Sequence, residues 1–269
     1  MSDPLVVALL RAAGCVWAED EAALLEAASS TPDELEVLLA RRVAGEPLET
    51  VLGWVEFLGR RLAVGPGVFV PRRRTELLAR TAVACTRSVL SGRGRPVVVE
   101  MCCGVAPVAG CLEGTGAEVH GCDVSEPALA CARANAPSAE LHLGDLYDAL
   151  PTHLLGRVDV LAANAPYVPT SRVAQMPPEA REHEPLVALD GGADGVDLHR
   201  RLAAGAARWL VPGGVLLVET SPGQSSLTTS AMAAAGLVAR VEADDEVGGC
   251  VAVGVRPAGV SRRAAGRAS

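Results

Sequence analysis

The sequence lacks any apolar run approaching the roughly 18 residues of a membrane span. Yet 49% of its 269 residues are hydrophobic, so that apolar surface is expected in a packed core. No basic region followed by an apolar core and a cleavage site opens the chain, so no secretory signal is expected. None of the eight cysteines forms a C-x-x-C pair, and no matching His/Cys set follows Cys102-Cys103. Free thiols in a reducing cytoplasm are therefore expected, and no metal site. Positive charge is also short. A net charge of −8 speaks against a surface that neutralises many nucleic-acid phosphates. Neither a membrane nor direct nucleic-acid binding is expected. The stretch from Arg256 to Arg267 is basic, but it is rich in Ala, Gly and Ser without apolar periodicity. It reads as a solvated tail. No internal repeat or long low-complexity segment is apparent.

The first part of the chain has helical periodicity. Leu5, Leu9 and Leu10 share one face, and Ala22, Leu25, Leu35, Leu38 and Leu39 continue the pattern. Thr31-Pro32-Asp33-Glu34 is a helix start, with a cap, a first-turn proline and early acids. Gly45-Glu46-Pro47 is expected to end this bundle. Val51–Leu58 and Arg61–Val64 then read as a hairpin around Gly59, and a helix is expected from about Thr75. Beyond Pro96 strands alternate with helices. The expected strands are 97–99, 117–122, 141–143, 158–163, 215–218, 237–241 and 251–255. This alternation predicts an α/β, doubly wound, mostly parallel seven-stranded sheet. The expected division is a helical unit over 1–50, a hairpin linker over 51–75, an α/β domain over 76–256 and a tail over 257–269.

The chemistry concentrates at strand ends. Val158–Ala163 runs into Asn164-Ala165-Pro166-Tyr167. Open α/β sheets bind ligands beyond the carboxyl ends of their strands. An Asn side-chain oxygen beside a free backbone carbonyl, that of Ala165, makes a two-acceptor fork for one planar NH2 group. Pro166 restricts the backbone and biases Ala165 towards extended geometry. Tyr167 can lay its ring against a flat amide or a cationic methyl donor. Such a device suits methylation of a poorly nucleophilic nitrogen.

Val97–Val99 leads into Glu100-Met101-Cys102-Cys103-Gly104-Val105-Ala106-Pro107. An acid, a turn of small residues and a helix make a nucleotide-type binding loop, or else an ordinary turn. Gly104 permits close backbone approach. Cys102 stands where such loops place glycine, at a cost if φ is positive there. Asp123 ends the next strand about 20 residues on, placed to accept from ribose hydroxyls or to cap the following helix. Asp145 is placed to accept from an adenine amino group, or is a plain loop aspartate. Glu184-Pro185 and Pro177-Pro178 mark a long folded loop over the sheet edge. His183 reads as a general base or, preferably, as a surface residue. Asp194 and Glu219 are candidate supports of the cleft.

With these residues in hand, the chain resembles the HemK/PrmC protein-glutamine methyltransferases, within the class I, Rossmann-like, S-adenosylmethionine-dependent methyltransferases. The resemblance rests on the helical N-terminal segment, Gly45-Glu46-Pro47 and Val70-Pro71-Arg72-x-x-Thr75-Glu76. It extends through the glycine-loop region, Asp123, Asn-x-Pro-Tyr, Glu184-Pro185-x-x-Ala188-Leu189, Gly192-x-Asp194-Gly195 and Glu219. It implies that Glu100, Gly104 and Asp123 line the methyl-donor site; Cys102, Asp145 and Asn164 are also expected on the donor side from their own positions. It further implies that Asn164 and the carbonyl of Ala165 grip a substrate amide, with Pro166 restricting it and Tyr167 flanking it. The implied cofactor is S-adenosyl-L-methionine, and the implied partner is a protein substrate, a release factor. Two positions depart from the family pattern. Ala165 replaces the first of two prolines, and of three loop glycines only Gly104 remains. These departures keep rivals open: a small amide-bearing metabolite as substrate, a non-catalytic binding paralogue, and a nucleic-acid amine methyltransferase, the last disfavoured by charge.

Overall fold

The computed structural model describes residues 2–92 and 94–258; the basic tail expected beyond Pro257 lies outside them from residue 259 onward. Four helices come first: α1 (Pro4–Ala12), α2 (Ala18–Ala28), α3 (Pro32–Val43) and α4 (Leu48–Leu52). Val6, Leu10, Ala18, Ala22, Leu25 and Val51 form a core of their own among them. Thr31 caps α3 by accepting from the Glu34 N–H at 3.2 Å, and Glu34 in turn accepts from the Ser30 N–H at 2.6 Å. Buried Arg42 bonds Glu21 at 2.6 Å within the helical layer. It also bonds Glu179 at 2.5 Å, which ties this layer to a distant loop.

The hairpin is shorter than its sequence pattern. Its strands are β1 (Trp54–Phe57) and β2 (Arg60–Ala63), so the expected start at Val51 is three residues early. Leu48, Val51 and Leu52 recur at helical spacing and pack on the helical core, which makes this stretch α4 instead. Gly53 ends α4 with φ +81, a conformation glycine takes without a Cβ penalty.

Helix α5 (Glu76–Gly92) follows a single 3-10 turn at Arg73–Thr75. Then come β3 (Val97–Met101), α6 (Pro107–Cys111), β4 (Glu118–Asp123), α7 (Glu126–Asn135), β5 (Glu140–Leu143) and β6 (Val158–Ala163). The wall loop carries α8 (Thr170–Val173) and α9 (Pro178–His183), and the chain continues with α10 (Asp197–Trp209), β7 (Leu210–Glu219), α11 (Ser225–Ala234), β8 (Val238–Asp244) and β9 (Gly249–Val255). The sheet order is β5-β4-β3-β6-β7-β9-β8. Only β9 runs antiparallel to its neighbours. The expected seven-stranded, mostly parallel α/β sheet is therefore present.

Both faces of the sheet are buried, as the near-continuous apolar strands require. Val98, Val160, Ala162 and Leu217 face α5, α6 and α7. Val97, Val99, Met101, Leu161 and Val218 face the α10 and α11 side. Strand order reverses at β3, with β4 and β5 on one side and β6 and β7 on the other. The crevice at the carboxyl ends of β3 and β6 is the ligand position of such sheets. Among the described residues, no helix is long and apolar enough to cross a membrane.

Candidate functional site

A cavity of about 350 Å³ opens at this switch point. Glu100, Cys102, Gly104, Asp123, Asp145, Asn164, Ala165, Pro166 and Tyr167 all line it. The fold thus brings together every residue singled out for the two halves of the site. Such a volume suits a small organic ligand.

The loop after β3 is held open by backbone geometry. Cys102, Gly104 and Ala106 have φ of +49, +53 and +61. All three alternate positions of a glycine loop keep the left-handed conformation, although two of them carry a Cβ. Cys102 was suspected of this; Ala106, read as merely small, adopts it too. Replacing Cys102 by glycine should relieve about 1–2 kcal/mol of strain, less about 0.4–1 kcal/mol for the freer unfolded chain. Urea unfolding should show a gain of roughly 0.5–1 kcal/mol in Cys102→Gly; a loss would mean that packing of the thiol outweighs the strain.

Two buried carboxylates brace the loop. Glu100 accepts from the Val108 and Ala109 N–H groups, at 3.1 and 2.7 Å. It is occupied with the start of α6, and burial pushes its carboxyl up to about 8. Its role in the geometry is to hold the loop rather than to present a free acceptor. Asp123 ties the loop to the start of α7, in line with its helix-start reading. One oxygen accepts from the Gly104 N–H at 2.8 Å and the other from the Ser125 N–H at 2.9 Å. Each oxygen retains a lone pair for a ligand. Asp145 lies at the rim and is paired with Arg201 at 2.8 Å.

On the other side stands the tetrapeptide. Asn164 Nδ2 makes a long 3.4 Å contact to Thr75 Oγ1. Thr75 also acts on nearby Glu219, lowering its pKa. This contact places the Asn164 amide NH2 on the Thr75 side, where the hydroxyl oxygen can accept. Asn164 Oδ1 then faces the cavity as an acceptor. Gly191 explains how the tetrapeptide is clamped: a Cβ there would lie 2.7 Å from both the Pro166 oxygen and Tyr167 Cα. Gln224 Nε2 donates to the Tyr167 carbonyl at 2.8 Å and to the Asp194 carbonyl at 3.0 Å.

Tyr167 is fixed at its hydroxyl. Arg74 Nε donates to it at 2.7 Å, and it donates to Glu219 at 3.2 Å. Burial, reinforced by Glu219, pushes the phenol up to about 12, so it remains a donor at neutral pH. Glu219 is itself buried, with its second oxygen unpartnered. Burial raises its pKa, and Thr75, Arg74 and Tyr167 act against that rise. Glu184 pins the front wall, accepting from Val70 N–H at 3.2 Å and Arg72 at 2.5 Å. His183 is not at the cavity: its ring lies beside Gly45, against the helical layer. The surface reading holds for it, and the general-base reading does not.

His199 had no place in the sequence reading. It is buried behind the tetrapeptide, with Nδ1 at 2.9 Å from Thr228 Oγ1 and Nε2 unpartnered. Desolvation, with a smaller effect from Arg200, pushes it from 6.5 down to about 4, against the raising influence of the Ala165 carbonyl. The unfolded chain therefore takes up a proton as pH falls through about 6.5, while the folded chain waits until about 4. Stability from this group is full above about 6.5 and is lost progressively towards 4. Urea titrations at several pH values should show this slope in the parent chain and a shallower one in His199→Phe; equal slopes would remove His199 from the account. Thr75 and Gln224 were also missed as site residues. Gln224 did carry a positional signal, since it follows the carboxyl end of β7 in Glu219-Thr220-Ser221-Pro222-Gly223-Gln224.

No protein-family model matches the chain. It is 40% identical over 186 residues to a release factor glutamine methyltransferase from Streptomyces coelicolor, a match covering 68% of this chain and 65% of that protein. It is 39% identical to a 4-amino-L-phenylalanine/4-methylamino-L-phenylalanine methyltransferase from Streptomyces pristinaespiralis, over 66% of this chain and 62% of that protein. The chain thus spans just under two thirds of the length of these two relatives. A release factor glutamine methyltransferase from Gloeobacter violaceus is 37% identical over 210 residues, 75% of this chain and 71% of that protein. Among solved structures, a methyltransferase from Pyrococcus furiosus shares the fold with a TM-score of 0.53 at 15% identity, over 81% of this chain and 97% of that one. With the fold, the clamped Asn-x-Pro-Tyr segment and these identities together, the chain belongs to the HemK/PrmC family of release factor glutamine methyltransferases.

Proposed function

We propose that this protein transfers a methyl group from S-adenosylmethionine to a carboxamide nitrogen, that of a glutamine side chain in a peptide-chain release factor. The observation that carries this reading is the orientation of Asn164. Its amide NH2 is held on the Thr75 side, which leaves Oδ1 for the cavity beside the backbone of Ala165.

The donor fits the other half of the cavity. Alternate left-handed positions at Cys102, Gly104 and Ala106 shape the loop, whose Cys102 to Val105 stretch lines the cavity. Asp123 stands where ribose hydroxyls would donate to its remaining lone pairs. Gly104 and Asp123 would hold the donor, with Cys102 and Asp145 along its edge and Glu100 bracing the loop from behind. When bound, S-adenosylmethionine supplies an electrophilic methyl carbon on a sulfonium.

The chain's own contribution is orientation and electrostatics. Asn164 Oδ1 and the Ala165 carbonyl would each accept one N–H of the incoming amide. That fixes the plane of the NH2 group and raises electron density on nitrogen. The Tyr167 ring, locked through its hydroxyl by Arg74 and Glu219, would lie along the amide and exclude water. No side chain of the fork has to act as a base: the C–N bond would form as the C–S bond breaks to leave a thioether, and the nitrogen's surplus proton would pass to solvent afterwards.

A second reading has a specific support in the Streptomyces pristinaespiralis relative, whose name gives it an aminated aromatic amino acid as substrate. A small amide- or amine-bearing metabolite would then fill the cavity alone. Methyl-labelled S-adenosylmethionine, offered with a purified release factor or with aminated aromatic amino acids, separates the two. Label on the protein supports the proposal, whereas label only on the small acceptors replaces it with the second reading.

A further inference from the structure

Away from the cleft, the fold gathers three of the chain's five histidines at the β4–β5 edge of the sheet. His120 on β4 pairs in register with Glu140 on β5, and His142 is two residues further along β5. The pleat puts all three on one face. His120 Nδ1 lies 3.1 Å from His142 Nε2 and 3.8 Å from Glu140 Oε2. The ligand atoms of all three lie within 4.8 Å of one another. His120 is buried and His142 is half-buried, whereas Glu140 is exposed and free to swing.

We propose that His120, His142 and Glu140 form a binding site for a divalent transition ion of the zinc class. Geometry argues for this first. Two imidazole nitrogens on one tetrahedral zinc, with bonds of about 2.0–2.1 Å, stand roughly 3.3 Å apart. The observed 3.1 Å is close to that separation. The tautomer argues for it next. Glu118 Oε1 lies 3.4 Å from His120 Nε2. A carboxylate on one ring nitrogen holds the proton there and leaves the other with its lone pair outward, the usual outer support of a metal-bound histidine. Here that outward nitrogen is Nδ1, which faces both His142 and Glu140. Two imidazoles and one carboxylate suit zinc and cobalt, with water or a fourth side chain completing the shell. His153 is the nearest candidate for that place, its ring edge-on to His120 at 6.4 Å between centroids.

The bland alternative is a hydrogen-bonded histidine pair with a bystander glutamate. It accounts for the 3.1 Å contact but gives Glu140 no part, since 3.8 Å is too long for a hydrogen bond. Sequence spacing did not reveal the cluster, because its members come from two strands joined only by the register of the sheet.

Cobalt(II) titration of the full chain under reducing conditions, read by visible absorption, tests the proposal. One ion per chain should bind, with the d–d bands of nitrogen and oxygen ligation and no strong thiolate charge-transfer band, and zinc should displace it. Because His120 is buried and its replacement endangers folding, the variants are His142→Ala and Glu140→Gln. Each should weaken cobalt by at least the 10–100-fold that loss of an outer-shell partner costs, while keeping the parent circular dichroism in chelator. No uptake, a spectrum dominated by thiolate ligation, or unchanged affinity in either variant overturns the site.

Discussion

Asn164→Ala should lower the methyl-transfer rate by at least about 100-fold, the scale set by losing one preorganised electrostatic contact at a reacting group. Donor affinity should stay within about twofold, because the lost acceptor serves only the amide. Two features make the test clean. Asn164 is only partly buried, and its one side-chain hydrogen bond among the described residues is the long 3.4 Å interaction with Thr75. Its truncation therefore removes little folding energy. Thr75 Oγ1 would lose one neighbour but keep Glu219. The measurement is single-turnover transfer with saturating donor, paired with calorimetric donor binding. Activity within a few fold of the parent chain would remove Asn164 from the grip.

Asp123→Ala should act on the opposite half. Losing charge-assisted hydrogen bonds to a ribose should cost about 1.5–3 kcal/mol, or roughly 10- to 150-fold in donor affinity. The structure adds a complication that the sequence did not show. Asp123 also accepts from Gly104 and Ser125, so the alanine variant loosens the loop and the start of α7. Asp123→Asn separates the effects. Its amide oxygen can keep one backbone contact, while its NH2 cannot accept from a ribose hydroxyl. If Asn restores stability but not affinity, the carboxylate serves the ligand. If Asn restores both, Asp123 is a structural tie and the ribose assignment fails.

Much of this architecture was legible because the physics behind it is local. Val97–Val99 is a continuous apolar run and Val158–Ala163 one broken only by Asp159, and a strand buried on both faces explains them alongside alternating helices. Their carboxyl ends then locate the cleft. The hairpin start at Val51 was misread because Leu48, Val51 and Leu52 also fit a helix, and packing on the N-terminal core decided the matter. Ala106 escaped notice because positive φ in alanine has no composition signal; only the folded loop reveals it. His199 and Thr75 were missed for another reason, and so was Gln224 despite its place just after a strand. They act through contacts with residues 29 to 89 positions away, which no spacing rule anticipates. Glu100 shows the converse. Its place near the strand end does put it at the cavity, but its carboxyl group is committed to the start of α6.

The central claim is that the fork at Asn164 and Ala165 presents a carboxamide nitrogen to the donor. Tandem mass spectrometry of a release factor treated with the protein and methyl-labelled S-adenosylmethionine tests it at the level of the atom. The account predicts one added methyl group on the side-chain nitrogen of a single glutamine, and none with Asn164→Ala. A methyl group found instead on a carboxylate, a hydroxyl or a lysine amine would contradict it.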